Sequence, residues 1–277
     1  MGKLFSKSFP TTNPAGKEKH MFAVYKKELR SYFTNAIGYV YAGIFLALSA
    51  AACCYTTLKS NSYSTSFYFT LMIYAFIILV PLLTMRLFSE EKKTKTEQLL
   101  LTAPITISGM VAGKYFAALT LFIGTVVASC INFIPLYIIC SAERAADDGS
   151  SLIDGPNTAE IFGSIIGIIL IGAAFIAIGM FISSLTENQL SAAVITISAL
   201  LCMLILNFIL SAGEDSEGTR LIGSYIVRAV IGFFSLYTRF SKFSYGIFDF
   251  SALLYYVSVA GIFFYLTVRI FEKRRWS

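Results

Sequence analysis

The residue types that usually carry chemistry are scarce in this 277-residue chain, and those present lack partners at useful spacings. There is one histidine, His20, so a multi-histidine metal site has no donors. The five cysteines, Cys53, Cys54, Cys130, Cys140 and Cys202, lie inside or at the ends of apolar runs without CxxC spacing, and read as small buried hydrophobes. Gly113-Lys114 is the nearest approach to a phosphate-cradling loop. Such a loop needs GxxxxGK followed by Ser or Thr, but here Ser108 replaces the first glycine and Tyr115 follows the lysine. The longest apolar segments hold no Asp, Glu, Lys or Arg, which removes the ionisable group that a proton- or sodium-coupled carrier uses. A membrane hydrolase would want a nucleophile beside a base, and the sole histidine sits in the N-terminal tail. The chain is therefore expected to be no enzyme, to hold no metal and no cofactor, and to take any energy from a partner.

The elements that must position what remains are membrane helices. Hydrophobic residues make up 56% and charged residues 14%, against roughly 45–50% and 25% in soluble domains. That balance excludes a disordered chain and an ordinary soluble domain. The net charge of +6 is no nucleic-acid signal, because the basic residues sit at the ends of apolar runs. Crossing a bilayer takes about 20 apolar residues in helix. Spans are expected over about 36–58, 66–88, 108–140, 160–185, 189–212 and 250–270. A seventh candidate, Leu221 to Tyr237, contains Arg228. Basic residues crowd before the first span (Lys26, Lys27 and Arg30 among them) and after the last (Arg269, Lys273, Arg274, Arg275). Both ends then read as cytoplasmic, the number of crossings is even, and six spans fit. Residues 1–20 are polar, have no apolar signal core and read as a flexible tail; residues 21–277 read as one transmembrane domain.

Between the spans, Met21, Tyr25, Leu29 and Tyr32 or Phe33 recur at helical spacing with lysines on other faces. This predicts an amphipathic helix at the inner membrane surface. Ser89 to Pro104 begins charged, turns apolar at Leu99, Leu100 and Leu101, and stops at proline. It reads as a short cytoplasmic helix whose leucines need something to pack on. The third apolar stretch exceeds one crossing, and Pro135 should bend it near the outer side. Ser184 to Gln189 forms a tight hairpin between the fourth and fifth spans. Gly163 and Gly167 make a GxxxG pattern suited to close helix packing. An outer segment rich in aromatics, Phe233, Phe234, Tyr237, Phe240, Phe243, Tyr245 and Phe248, reads as short helices dipping into the outer leaflet.

Three stretches together resemble the permease subunits of type-2 ATP-binding-cassette (ABC) transporters, nearest to the gliding-motility and nitrous-oxide-maturation types. They are Tyr25-Lys-Lys-Glu-Leu-Arg-Ser-Tyr-Phe33 with Gly38-Tyr39; Glu90-Glu-Lys-Lys through Thr96, Leu99-Leu-Leu-Thr, Pro104 and Gly113-Lys114; and Tyr245-Gly-Ile-Phe-Asp-Phe through Tyr255-Tyr256 to Arg274-Arg275-Trp276. The resemblance implies an all-α integral membrane fold. It has six spans, an N-terminal elbow helix, a cytoplasmic coupling helix and outer re-entrant helices before the last span. Lys26, Lys27, Glu28 and Arg30 would lie on the elbow helix. Glu90, Glu91, Thr96, Glu97, Gln98, Leu99, Leu100 and Pro104 would form the coupling helix, docked in a groove of a separate ATPase. Glu187, Asn188 and Gln189 would be a second touch point. Lys95 stands where a glycine is frequent and Gln98 where a glutamate is frequent.

The function so implied is an exporter permease in the cell membrane, switching by alternating access. Its partners would be an ATPase that binds ATP and Mg, a second permease copy or paralogue, membrane lipid and, where one exists, an extracytoplasmic accessory subunit. The same fold could serve as a mechanotransmission module, and an ATP-independent carrier is the remaining alternative. Several residues also have plainer readings. Glu90 and Glu91 could be a solvated charge cluster, Lys114 a marker of the membrane edge, Asp249 a cap on the last helix, and Asn132 and Asn207 glue between helices.

Overall fold

The computed structural model describes residues 14–58, 65–96, 106–146, 155–212, 232 and 236–276, and no strand occurs among them. Helix α1 (Pro14–Thr34) begins inside the stretch read as tail, with proline at its first position, where the missing N–H costs nothing. Then come α2 (Ala36–Cys53, closing in a π-helical turn Cys54–Leu58), α3 (Ser66–Thr84), the short α4 (Ser89–Lys93), α5 (Ile107–Ser129), α6 (Phe133–Ala146), α7 (Thr158–Leu185), α8 (Gln189–Ala212), α9 (Leu236–Ser244) and α10 (Phe250–Trp276).

Six stretches are long and apolar enough to cross a bilayer: Ala36–Thr56, Ser66–Lys93, Ile107–Ala142, Thr158–Leu185, Gln189–Ile209 and Phe250–Arg275. Their number is the six expected. The protein is an all-α integral membrane protein. Span α7 is the most buried and α8 the least. Accordingly α7 carries glycines where neighbours press closest. A Cβ on Gly172 would stand 2.2 Å from the Phe122 ring, and one on Gly179 would stand 2.3 Å from Thr84 Oγ1. Around Phe122 the core is aromatic. Phe45 stacks on Phe76 at 5.8 Å, Phe76 meets Phe122 edge-on at 5.1 Å, and Tyr68 meets Phe133 at 5.2 Å.

Two breaks follow from local chemistry. Asn35 takes an extended conformation between α1 and α2, and the chain folds back so tightly that a Cβ on Gly38 would lie 2.3 Å from the Tyr32 carbonyl oxygen. That explains the glycine at the head of the first span. The third crossing is interrupted by a 3-10 turn, Cys130–Asn132, immediately before Pro135. Proline offers no N–H to the carbonyl of Ile131 and its ring crowds that oxygen, so the helical ladder breaks beside Pro135. In the same turn Asn132 donates from Nδ2 to Ser49 Oγ, which also pairs with the Tyr68 hydroxyl at 3.1 Å. This amide ties the third crossing to the first, as the glue reading holds. Asn207 is buried on α8.

The GxxxG pattern works within the chain. A Cβ on Gly163 would meet the Phe243 carbonyl at 2.8 Å, and one on Gly167 would meet the Phe240 ring at 2.9 Å, so these glycines seat α9 against α7. The outer aromatics divide accordingly: Phe240 and Phe243 are buried in protein, Tyr237 stacks on Tyr74 at 5.9 Å, and Tyr245 and Phe248 remain exposed. Phe233, Phe234 and Leu221 to Ser235 otherwise, including Arg228, lie outside the described residues apart from Gly232. Arg239 lies over the Tyr255 ring at 4.2 Å.

Asp249 caps α10. Its Oδ1 accepts from Ser251 N at 2.9 Å and its Oδ2 from Lys242 Nζ at 2.7 Å. The Lys242 ammonium and the Ser251 amide hold this carboxyl below the usual carboxylate range. A depressed carboxyl contributes stability above its ordinary value of about 4 and loses it as pH falls through the folded value. Acidification below about pH 4 is therefore expected to reduce amide protection at residues 250–253, corrected for intrinsic exchange, and Asp249→Ala to reduce it at neutral pH. Equal protection in wild type and variant at neutral pH would dismiss the cap.

Candidate functional site

Most of the charged residues described gather at one end of the bundle, where α1, the α3–α4 turn, the α7–α8 hairpin and the end of α10 meet. The α3 helix ends at Thr84, and turn Met85–Phe88 leads into α4. The exposed N–H groups of a helix start need acceptors, and α7 supplies one. Ser183 Oγ accepts from Phe88 N at 3.2 Å and Ser89 N at 3.3 Å while donating to the Met85 carbonyl at 3.3 Å. Phe88 is buried with its ring 4.6 Å from that of Phe271 on α10. Arg86 donates from Nε and Nη2 to both carboxylate oxygens of Glu90, each at 2.6 Å, a bidentate pair one helical turn apart.

Under this turn sits Lys114, with only 2% of its surface exposed. An ammonium has three N–H donors. They reach Glu28 Oε1 on α1 at 3.0 Å, the Leu87 carbonyl at 2.9 Å, and Glu91 Oε1 on α4 at 2.8 Å. The Phe88 ring lies 5.3 Å from the same nitrogen. Such a charge, isolated, would be too costly to bury; two carboxylates and a carbonyl make it tenable. Lys114 is thus a buried node of the protein and does more than mark a membrane edge. Glu91 is a bonded member of this cluster, and Glu90 is the partly exposed partner of Arg86.

Helix α1 lies along α5. Gly113 admits it: a Cβ there would stand 3.0 Å from Val24 and 3.1 Å from the Met21 carbonyl. Tyr25 pairs through its hydroxyl with Thr120 at 3.1 Å, and Tyr32 donates to the Leu83 carbonyl at 3.4 Å. Burial pushes the Tyr32 phenol well above its ordinary range, with Glu28 adding to the shift. Of the residues assigned to this helix, Glu28 faces protein, whereas Lys26, Lys27 and Arg30 are exposed.

The hairpin docks from the other side. The last carbonyls of α7 have no helical partner, and the negative end of its dipole favours cations. The Ser184 carbonyl accepts from Lys92 Nζ and, at 3.0 Å, from Arg274 Nη2. Glu187 and Asn188 are exposed at the tip, Gln189 is half-buried as the first residue of α8, and Asn188 Oδ1 caps that helix by accepting from Leu190 N at 3.2 Å.

The helix expected to run unbroken to Pro104 closes early. After Lys93 the chain enters a turn through Thr96, and Lys95 adopts φ 57°. This is the left-handed region, where glycine is free of the Cβ penalty, which gives a physical reason for a glycine preference at this position. Lys93, Thr94, Lys95 and Thr96 are exposed. Glu97, Gln98, Leu99, Leu100 and Pro104 lie outside the described residues.

The surface therefore has an exposed basic tip, residues 93–96, and an exposed hairpin tip, joined beneath by a buried ionic and hydrogen-bonded layer. It brings together Glu28, Glu90, Glu91 and the base of the hairpin. Sequence reasoning missed Ser183 as a cap and Lys114 as the node. The available signals were a lysine just inside an apolar run and small residues at 109, 113 and 117, one face of a helix. No group of three or more His, Cys, Asp or Glu placed to hold a metal occurs among the described residues.

Residues 29–144, from the last turns of α1 into α6, match the family described as ABC-2 family transporter protein. No curated protein matches the chain.

Proposed function

We propose, from the match of residues 29–144 to the ABC-2 transporter family, that the chain is an ABC-2 type permease and the transmembrane subunit of an ATP-driven exporter. A separate ATPase subunit binds ATP and Mg and docks on the exposed tip at residues 93–96, on Leu99 and Leu100 and on the Glu187–Gln189 tip. Two permeases pair, and closure of the ATPases switches the pathway between them by alternating access. The complex lies in the plasma membrane with both termini cytoplasmic, as the concentration of basic residues at the α1 and α10 ends supports.

The observation that carries this reading is the build of the Arg86–Thr96 segment. Its tip is exposed and basic, while its base is fastened to α1, α5, α7 and α10 through Lys114, Ser183, Ser184 and Phe271. Attachment to four elements gives a load applied at the tip a direct route into the bundle.

The test is purification in mild detergent, with subunit composition and ATP hydrolysis measured together. A stoichiometric ATPase is expected with the wild type. Replacing Leu99 and Leu100 by glutamate should remove the partner and its hydrolysis, because a charged side chain cannot enter an apolar docking groove without uncompensated desolvation. Retention of full ATPase stoichiometry by that double variant would displace docking from this segment. A wild type that carries no ATPase would reject the permease mechanism.

A further inference from the structure

Helices α1 and α4 belong to different neighbourhoods. The main neighbours of α1 are α5 and α2, while those of α4 are α7 and α8. Val24 and Tyr25 attach α1 to α5, and Ser183 attaches the start of α4 to α7. Tyr32 attaches α1 to the end of α3 at the Leu83 carbonyl, and none of these contacts joins α1 to α4 itself. Lys114 does, since one ammonium reaches Glu28 on the first and Glu91 on the second.

We propose that Lys114 is a positioning residue that makes α1 move with α4, so that load applied at the docking surface reaches the N-terminal helix through one buried charge. This rests on the docking reading above. The chemistry suits the role. All three N–H donors are committed, and the site is nearly closed to water, with Lys114 at 2% and each carboxylate side chain at 16% exposure. Water therefore cannot readily replace either carboxylate as it would at the surface, and a displaced Glu91 takes its counter-charge with it or leaves a buried ion underpaired. Gly113, one residue earlier, brings α1 close enough for Glu28 to take part. The Gly-Lys pair thus has a joint purpose: the glycine admits the helix and the lysine couples it.

The test uses hydrogen exchange on the purified complex with its ATPase, with and without ATP. Glu28→Ala and Glu91→Ala each cut one arm and leave Lys114 one carboxylate and the Leu87 carbonyl, a neutral pair in place of a cluster with a surplus carboxylate, so both should fold. In the wild type, ATP is expected to change exchange at residues 86–96 and, by at least about fivefold, at residues 21–34, the low end of ordinary coupling between sites. In either variant the change at 86–96 should persist while that at 21–34 disappears. A loss of stability alone would alter exchange in both segments without regard to ATP, so the split separates coupling from structure. An undiminished ATP response of α1 in both variants, or none in the wild type, would overturn the proposal. Wild-type protein carrying no ATPase would instead reject the docking reading beneath it.

Discussion

Lys114→Met should cost the folded protein about 3–5 kcal/mol, because it leaves Glu28 and Glu91 facing one another in a closed site without their cation. For a chain of this length that corresponds to a fall in thermal midpoint on the order of 10 °C in detergent. The size comes less from the lost attraction than from the uncompensated carboxylates, since burying two charges was costly even with the lysine present. A control isolates this. The triple variant Glu28→Gln, Glu91→Gln, Lys114→Met removes all three charges and should recover most of the loss, because neutral replacement of a buried ionic cluster is often tolerated. A single variant melting within about 2 °C of wild type would mean that water reaches the node. A triple variant as unstable as the single one would mean that Lys114 acts by packing its methylenes and not by charge.

The course of the chain was readable in its sequence where the bilayer imposes a one-dimensional rule. Span limits follow from apolar length, and their number from that length together with the basic residues at both ends, so Gln189 to Ala212 and Phe250 onward could be placed without knowing any neighbour. The break before Pro135 and the cap at Asp249 were also accessible, because each depends on residues adjacent in the chain. What the sequence concealed depends on distant pairs. Glu28 and Lys114 are 86 positions apart, and Ser183 caps a helix 94 positions before it. Nothing in the local composition of either partner marks such a meeting. Gly163 and Gly167 show the ambiguity from the other direction: the spacing correctly signals a close approach, but the element that arrives is α9 of the same chain. The docking residues Leu99 and Leu100 rest on resemblance and on their apolar character beside charge, and the Leu99–Leu100 double variant is therefore the test of that part of the site.

A leucine at position 172 is expected to be among the most damaging single apolar substitutions in the protein. The Cβ alone would come within 2.2 Å of the Phe122 ring. Phe122 is fully buried and has rings of Phe45 and Phe76 on its other sides, at 6.4 and 5.1 Å. Ordinary overpacking costs about 1–3 kcal/mol and more where the neighbours cannot move. Here the ring, carried by α5, is backed by α2 and α3, so Gly172→Leu should lie at or above the upper end. Phe122→Ala makes the opposite error, a cavity worth about 3–5 kcal/mol. The two errors occupy the same space. Combined, Gly172→Leu and Phe122→Ala should destabilise by at least about 1 kcal/mol less than the sum of the singles, read as a partial recovery of the thermal midpoint in detergent. Strict additivity would show that α7 retreats as a body from the added side chain, and that the aromatic cluster does not set the distance between α7 and α5.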